Sequence, residues 1–159
     1  MNKSKQFVVF FLDNQKYALS LPDVKRAVRA VEITSLPEAP EIVSGVINIQ
    51  GLITPVINIR KRFRLQEKEI DPKDRFIIAD TSKRLVVLMV DEVEGVIESK
   101  SQEIVTGEKI LPGMEYVEGV LKLEDGIVFI HDLSRFLSLE EDQKLDDAMV
   151  KKLKHKLSE

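Results

Sequence analysis

The sequence predicts a mainly β protein that contains two copies of one strand-rich folding unit. The first observation behind this prediction is a set of short motifs that occurs twice in the same order. First-copy motifs are Leu36-Pro37, Gly45–Ile49, Gly51–Ile53 and Asn58-Ile59, and their second-copy counterparts are Leu111-Pro112, Gly119–Leu123, Gly126–Val128 and Asp132-Leu133. The offset stays at 74 or 75 residues, as 119 − 45 = 74 and 126 − 51 = 75 show. So steady an offset indicates an internal duplication.

The second observation is that each copy opens on two apolar runs separated by a short polar loop. The runs cover residues 7–12 and 17–21 in the first copy, and 76–79 and 85–90 in the second. This arrangement predicts a β-hairpin at the start of each copy, the first with a four-residue loop. The runs are apolar at consecutive positions, which indicates strands covered on both faces, as in a small barrel that also packs on its twin.

Turns, a linker and a terminal helix complete the predicted order of elements. A capping residue opens a short helical turn at 58–65 and another at 132–139. The charged segment 67–74 has one proline and no apolar face, so we predict that it links the copies. From Ser138 a capping box predicts a helix over 139–157, with an apolar residue at every fourth position from Leu145. We expect this helix to lie on the body or to fray in water rather than to act as a dedicated docking helix.

The elements divide the chain into a first barrel at approximately 14–66 and a second at approximately 75–139. The strand at 6–12 is a candidate to complete the second barrel. A unit of roughly 65 to 75 residues buries too small a fraction of its surface to be comfortably stable alone. We therefore expect the two units to share an apolar contact, and the groove along that contact is the expected place for a ligand.

Composition and charge narrow the class of function. The chain of 159 residues is 43% hydrophobic and 32% charged, with a formal net charge of −3. It contains no cysteine, which excludes disulfides and thiolate metal sites. No run approaches the ~20 apolar residues of a membrane-spanning helix, and the N-terminal residues lack the pattern of a secretory signal. We predict a cytoplasmic protein without direct membrane insertion.

The sequence contains no convincing catalytic site. His131 and His155 are the only histidines, and neither has the spaced partners of a metal site or a triad. We expect His131 to be structural. Asp91, Glu92 and Glu94 leave carboxylate catalysis as an alternative, although solvated charge is the simpler interpretation. We predict neither enzymatic activity nor a cofactor. The basic run 60–64 suggests nucleic acid as a partner, which the negative net charge opposes.

A longer motif resembles a known family. Residues 45–63 read Gly-Val-Ile-Asn-Ile-Gln-Gly-Leu-Ile-Thr-Pro-Val-Ile-Asn-Ile-Arg-Lys-Arg-Phe. This is similar to the CheW family of chemotaxis coupling proteins, whose members usually read Gly-Val-x-Asn-Leu-Arg-Gly and then Pro-Val-Ile-Asp-Leu-Arg-x-Arg-Phe. The resemblance also includes the opening hairpin and Val90-Asp91-x-Val93, so it covers a CheW-like domain at about 6–139.

The resemblance implies two tandem five-stranded SH3-like β-barrels and a non-catalytic adaptor. Such an adaptor couples the regulatory domain of a CheA-type histidine kinase to the cytoplasmic hairpin tips of methyl-accepting chemoreceptors. The residues that it implies for the receptor-binding groove are Val24, Arg26, Gly45, Gln50, Ile53, Phe76 and Val96. Those that it implies for kinase docking are Gln15, Leu21, Val105 and Ile110.

Two positions depart from the family pattern. Gln50 stands where the family usually has arginine, and Arg26 stands where glutamate is common. Drift at an exposed rim is one explanation, because such charge pairs contribute only about 0 to 1 kcal/mol. We favour the other explanation, a different receptor set or a parallel pathway, because polar rims discriminate between partners. The alternatives that stay open are an adaptor of a non-motility array, a free-standing kinase regulatory domain, a carboxylate enzyme and a small-barrel nucleic-acid binder.

Overall fold

The structure, a computed structural model, describes residues 4–100, 104–106, 117–124 and 126–158. Its strands are β1 (Ser4–Leu12), β2 (Gln15–Ser20), β3 (Val24–Arg29), β4 (Val43–Ile49), β5 (Leu52–Ile57), β6 (Arg75–Asp80), β7 (Leu85–Val90), β8 (Glu92–Lys100), β9 (Ile104–Thr106), β10 (Val117–Leu123) and β11 (Gly126–His131). Its helices are α1 (Ile59–Arg62) and α2 (Leu139–Ser158), with 3₁₀ turns at Leu21–Asp23 and Leu133–Arg135. The expectation of a mainly β fold is confirmed.

The strands form two sheets of the same design. The six-stranded sheet has the order β8-β1-β2-β11-β10-β9, and the five-stranded sheet has the order β3-β6-β7-β5-β4. Most neighbours are antiparallel, but β11 pairs with β2 and β5 pairs with β7 in parallel. The hairpin β1–β2 in the first sheet thus has the place that β6–β7 has in the second. The duplication seen in the sequence is a duplication of sheet topology.

The division of the strands between the sheets differs from the expected barrels at 14–66 and 75–139. The hairpin β1–β2 joins the strands of the second copy, and the hairpin β6–β7 joins those of the first. The N-terminal strand therefore completes the second unit, and the rest of its hairpin goes with it. Sequence patterns indicated this exchange only for the strand at 6–12, because two similar copies do not specify which hairpin pairs with which unit.

The consecutive apolar positions of the hairpins have the predicted cause, burial on both faces. Along β1, Phe7 and Val9 face a core inside the six-stranded sheet, whereas Phe10 and Leu12 face a core between the sheets. Alternate residues of a strand point to opposite faces, so both faces of β1 are covered. The loop of this hairpin is shorter than predicted: Leu12 pairs with Gln15, and the two residues between them have positive φ, as a tight two-residue turn requires.

The shared core is the apolar cluster that lies between the two sheets. The six-stranded sheet contributes Phe10, Leu12, Tyr17 and Leu19, and the five-stranded sheet contributes Ile57, Ile77, Ala79, Val86 and Leu88, among others. Each sheet also has a smaller core of its own, with Val128 in the first and Val56 in the second. The expected apolar contact between the units therefore exists, and it joins them into one body.

Helix α2 begins with the predicted capping box and packs on the body. The backbone N–H of Glu141 donates to Oγ of Ser138 at 3.0 Å, and Oε1 of Glu141 accepts from the Ser138 N–H at 2.8 Å. Leu145 and Ala148 are buried in the shared core. Arg84 forms ion pairs with two aspartates of the helix. The part of the predicted apolar stripe at 153 and 157 lies outside the described side chains.

Replacement of Leu145 by alanine should show that α2 is part of the folded body. Leu145 is fully buried, so Leu145→Ala should lower the free energy of unfolding by about 2–5 kcal/mol, the usual cost of such a cavity. Leu139→Ala is the matched control, since Leu139 is 79% exposed at the start of the same helix. Urea denaturation measures both. Equal, small effects would mean that α2 does not contribute to the shared core.

Candidate partner-binding site

The predicted receptor-groove residues lie on both sheets, and several are accessible. Val24 on β3 and Ile53 on β5 are partly buried and pack against the shared core. Val96 on β8 is 54% exposed. Arg26 on β3 and Gln50 in the β4–β5 turn are exposed. Three of these five residues are apolar and two are polar, and none of the five is fully buried.

Phe76 and Gly45 have structural roles that correct the prediction for these two positions. Phe76 is fully buried in the core of the five-stranded sheet, so its side chain is unavailable to a partner. Gly45 is buried at φ +153°, beside a bridge in which the Val46 N–H donates to the Thr34 carbonyl at 2.7 Å. A methyl group at Gly45 would lie 2.6 Å from Cγ2 of Ile33 and closer still to the Thr34 carbonyl oxygen. The glycine is required for this close approach.

The middle of the contact between the sheets is filled, which corrects the expectation of an open groove along its length. Side chains of both sheets, α1 and α2 close it as the shared core. Of the predicted groove residues, Arg26 on β3, Val96 on β8 and Gln50 in the β4–β5 turn stay exposed. The shared core itself is therefore closed to a partner.

The edge strands β3 and β8 are equivalent positions of the two sheets. β3 ends the five-stranded sheet and β8 ends one side of the six-stranded sheet. Each is paired along one side and has a bulge, at Lys25 in β3 and at Glu94 in β8. These residues are 94 − 25 = 69 positions apart. Ala27 and Val96 have the same separation, and both pair with buried residues of the neighbouring strand.

The predicted kinase-docking residues lie mainly on the six-stranded sheet. The side-chain amide of Gln15 donates to the carbonyl of Ile127 at 2.7 Å, next to the parallel pair β2–β11. Val105 lies on the edge strand β9, opposite Val120 of β10. Leu21 is half-buried in the 3₁₀ turn that leads from β2 to β3. Ile110 lies outside the described residues.

Sequence reasoning missed an exposed apolar residue beside Gln15. Ile127 is exposed at the start of β11, and its equivalent in the other sheet, Leu52 at the start of β5, is exposed as well. The two are 127 − 52 = 75 residues apart, which is the offset of the repeat. The repeat offset could have revealed this pair, because it matches Leu52 with Ile127. Each of the two apolar residues directly follows a hairpin turn.

A buried arginine forms ion pairs near the points where the chain passes from one sheet to the other. Arg60 of α1 is only 4% exposed, and its guanidinium contacts two carboxylates. It donates to Asp13 at 2.9 and 3.0 Å and to both oxygens of Asp91 at 2.7 Å. Asp91 also accepts from the Asp13 N–H at 2.8 Å. The interpretation of Asp91 as solvated charge is therefore wrong, because the chain brings Arg60 to it from 31 residues away.

The linker 67–74 is held by the same network. Lys68 contacts Asp74 at 2.9 Å and Asp91 at 3.4 Å. Asp74 is buried, and its side chain accepts from the Asp71 N–H at 2.9 Å. The segment has no regular secondary structure, yet its charges fix it against the body.

The pKa of Asp91 reflects these contacts. Burial alone raises the pKa of this carboxyl, but hydrogen bonds from Arg60 and from the Asp13 N–H outweigh burial, so the pKa lies below its ordinary value. Burial lowers the pKa of Arg60, and its bonds to the two aspartates raise it by more. Each charge therefore stabilises the ionised form of the other.

His131 is a packing residue, as the sequence predicted. Its ring is buried and stacks on Phe63 with centroids 4.1 Å apart. Tyr17 and Phe136 lie 5.5 and 5.9 Å from it. In the described ranges, no three histidine or acidic side chains are grouped so as to hold a metal ion. No helix within those ranges has the length and apolarity to cross a membrane.

Two sheets of one design, joined by a shared core and accessible at their edges, define a β scaffold. Residues 6–141 match the family model described as the CheW-like domain. Since this match spans most of the 159 residues, the chain belongs to the CheW-like family.

Named relatives agree with this assignment. The chain is 32% identical over 144 residues to the chemotaxis protein CheW of Bacillus subtilis, covering 87% of this chain and 90% of the relative. It is 27% identical over 146 residues to the chemotaxis protein CheW of Treponema pallidum, covering 88% and 86%. The crystal structure of the scaffolding protein TtCheW from Thermoanaerobacter tengcongensis is similar with a TM-score of 0.79 at 32% identity, covering 87% of this chain and 96% of that one.

Removal of the Asp91 charge should reduce stability at neutral pH and weaken its acid dependence. The folded-state pKa of Asp91 is lowered, so its contribution is present above the unfolded pKa of about 3.9 and is lost as pH falls through the lower folded value. We expect Asp91→Asn to lower the free energy of unfolding at pH 7 by about 1–3 kcal/mol. Its stability should then fall less than that of the unsubstituted protein below about pH 4.

Urea denaturation across a pH series measures both effects. Glu92→Gln is the matched control, since Glu92 is the next residue and is exposed. An Asp91→Asn protein as stable as this control, with full acid dependence, would contradict the proposed role of the Arg60 contact.

Proposed function

We propose that this protein is a non-catalytic adaptor in chemotaxis-type signalling. It couples the regulatory domain of a CheA-type histidine kinase to the cytoplasmic hairpin tips of methyl-accepting chemoreceptors. The observation that carries the proposal is the family match over residues 6–141, together with a relative's structure described as a scaffolding protein. The adaptor acts in the cytoplasm and reaches the membrane through its partners.

The edges of β3 and β8 support the receptor contact. Val24 on β3 and Val96 on β8 are accessible apolar residues, and exposed charged residues flank them on both strands. An amphipathic helix that docks on a protein uses such a surface, with apolar anchors in the middle and a polar rim that fixes register. Ile53 contributes from β5, where it closes the shared core beneath the partner.

The surface around Gln15 supports the kinase contact. The hydrogen bond from the Gln15 side chain to the Ile127 carbonyl holds the backbone of Ile127, whose side chain is exposed. Val105 lies three strands from Gln15 in the same sheet, at roughly 14 Å by strand spacing. An exposed apolar residue beside a fixed polar group is typical of a docking surface between folded domains.

The shared core supports simultaneous binding of both partners. The two proposed surfaces belong to sheets that bury side chains against each other. Arg60 also forms ion pairs where the chain passes between those sheets. A partner on one surface is therefore held at a fixed position relative to a partner on the other. That rigidity is what a coupling protein requires.

A charge at Val96 should separate the two binding activities. Val96→Glu places a carboxylate in the centre of the proposed receptor surface, where a docked helix would leave it buried and unpaired. We expect capture of a recombinant chemoreceptor-tip hairpin to fall at least about tenfold, which corresponds to about 1.4 kcal/mol. Capture of the kinase regulatory domain should be unchanged.

Val150→Glu is the matched control, since Val150 is 49% exposed on α2 and should affect neither partner. Circular dichroism confirms that each variant is folded. If the unsubstituted protein captured neither the receptor fragment nor the kinase domain, the adaptor function would be refuted. If Val96→Glu retained full receptor capture, the receptor surface would lie elsewhere.

A further inference from the structure

The turn of the β1–β2 hairpin is held by side chains from elsewhere in the chain. Asp13 and Asn14 form this turn, and both have positive φ, at 51° and 67°. Glycine adopts this left-handed conformation without a steric penalty, and neither position has it. Arg60 donates to the Asp13 carboxylate, and Asp91 accepts from the Asp13 N–H. Contacts from outside the hairpin therefore hold both the backbone and a side chain of the turn.

The equivalent turn between β6 and β7 is closed by hydrogen bonds among its own residues. The Thr81 N–H donates to the Arg84 carbonyl at 3.0 Å, and Oγ1 of Thr81 accepts from the N–H groups of Lys83 and Arg84. A carboxylate oxygen of Asp80 accepts from the Ser82 N–H at 2.8 Å. The external hold on the β1–β2 turn is therefore not needed merely to close a hairpin of this design.

The held turn adjoins the surface proposed for the kinase contact. Gln15 follows the turn directly, and its side-chain amide donates to the Ile127 carbonyl at 2.7 Å. The Ile127 side chain is exposed. Leu12 and Gln15 form the last pair of the hairpin, so the conformation of the turn sets where Gln15 enters β2. A change in the turn would therefore move the polar group of this surface.

Arg60 can influence this surface only through the residues that it holds, because it is buried. Its Nη2 donates to both oxygens of Asp91, and its Nη1 donates to the carboxylate of Asp13. A planar guanidinium donates to two carboxylates in fixed directions, whereas the ammonium of lysine is a compact point charge. Arginine at this position is therefore suited to hold the turn in one orientation.

We propose that Arg60 and Asp91 are positioning residues for the kinase contact. They hold Asp13 and Asn14 in the conformation that presents Gln15 to the regulatory domain of the kinase. This inference rests on the proposed function, since it concerns the partner of the same surface. Without the hold, the turn samples other conformations, and the apparent affinity falls with the fraction of molecules in the binding conformation.

Arg60→Lys tests the proposal, because lysine keeps the positive charge but lacks the fork that bonds both carboxylates. The probe is the recombinant regulatory domain of a CheA-type histidine kinase, titrated by isothermal calorimetry. We expect its Kd to rise about tenfold, as it would if about one tenth of the molecules kept the binding conformation. Capture of a recombinant chemoreceptor-tip hairpin should be unchanged. Hydrogen exchange of the Asp13 amide, measured by NMR, should become faster.

A glycine in the turn should restore kinase binding without restoring the network. Asn14→Gly places glycine after Asp13, and Asp-Gly is strongly preferred in two-residue hairpin turns, so the turn then forms by local preference. We expect Arg60→Lys combined with Asn14→Gly to recover most of the lost affinity. Asn14→Gly alone should bind the kinase domain as the unsubstituted protein does. A merely structural role of Arg60 would not be reversed by glycine at an exposed turn.

Two further variants separate positioning from loss of stability. Asp91→Asn removes the charge at the other end of the bridge, and it should show the same selective loss of kinase binding. Leu145→Ala is the matched control, since Leu145 is buried in the shared core on α2 and its truncation destabilises the fold without altering the turn. Its Kd for the kinase domain should be unchanged. Circular dichroism establishes that each variant is folded before its Kd is measured.

The outcomes separate this inference from the proposed function. An unchanged kinase Kd in both Arg60→Lys and Asp91→Asn would overturn the positioning role and leave the kinase surface standing. Equal losses of kinase and receptor binding, or a loss that Asn14→Gly does not reverse, would overturn the positioning role as well. Failure of the unsubstituted protein to bind the kinase domain would overturn both.

Discussion

Apolar side chains of both sheets meet in one shared core, and the positions of the accessible edges follow from that contact. Each sheet alone buries few side chains, and a unit of this size is only marginally stable without further burial. The faces of β1 and β6 that point away from the small cores are therefore apolar as well, with Phe10 and Ile77 as examples. These two faces bury each other in the shared core. β3 and β8 each pair with only one strand, so they are edges of their sheets.

Charged groups act mainly by fixing how the chain crosses between sheets. Arg60 is buried, and the removal of its guanidinium from water costs free energy. Two carboxylates from different parts of the chain offset that cost. Its partners, Asp13 and Asp91, come from the β1–β2 turn and from the single residue between β7 and β8. The bridge thus ties α1 to the β1–β2 turn and to the junction of β7 and β8. The ion pairs of Arg84 do the same for α2.

The internal duplication gives the chain two equivalent edge strands whose side chains differ. Ala27 on β3 corresponds to Val96 on β8, and the bulge residues Lys25 and Glu94 have opposite charges. The two edges therefore share a backbone design but present different side chains.

The sequence by itself determined the features that depend on neighbours along the chain. The hairpins, the caps at Asn58 and Asp132 and the capping box of α2 follow from local patterns, and the structure contains each of them. The constant offset determined the duplication. The motif around 45–63 identified the family, because it combines several spaced residues that local structure alone does not require.

Only the tertiary structure decided which copy each hairpin joins, that Phe76 is core, and that Arg60 meets Asp91. These outcomes depend on which surfaces meet across the chain, and two similar copies offer nearly equal local choices. The same limit applied to the charges of β3 and β8, whose opposition appears only once the bulges align the two strands. Local patterns set what each strand is, whereas burial between the sheets sets where it lies.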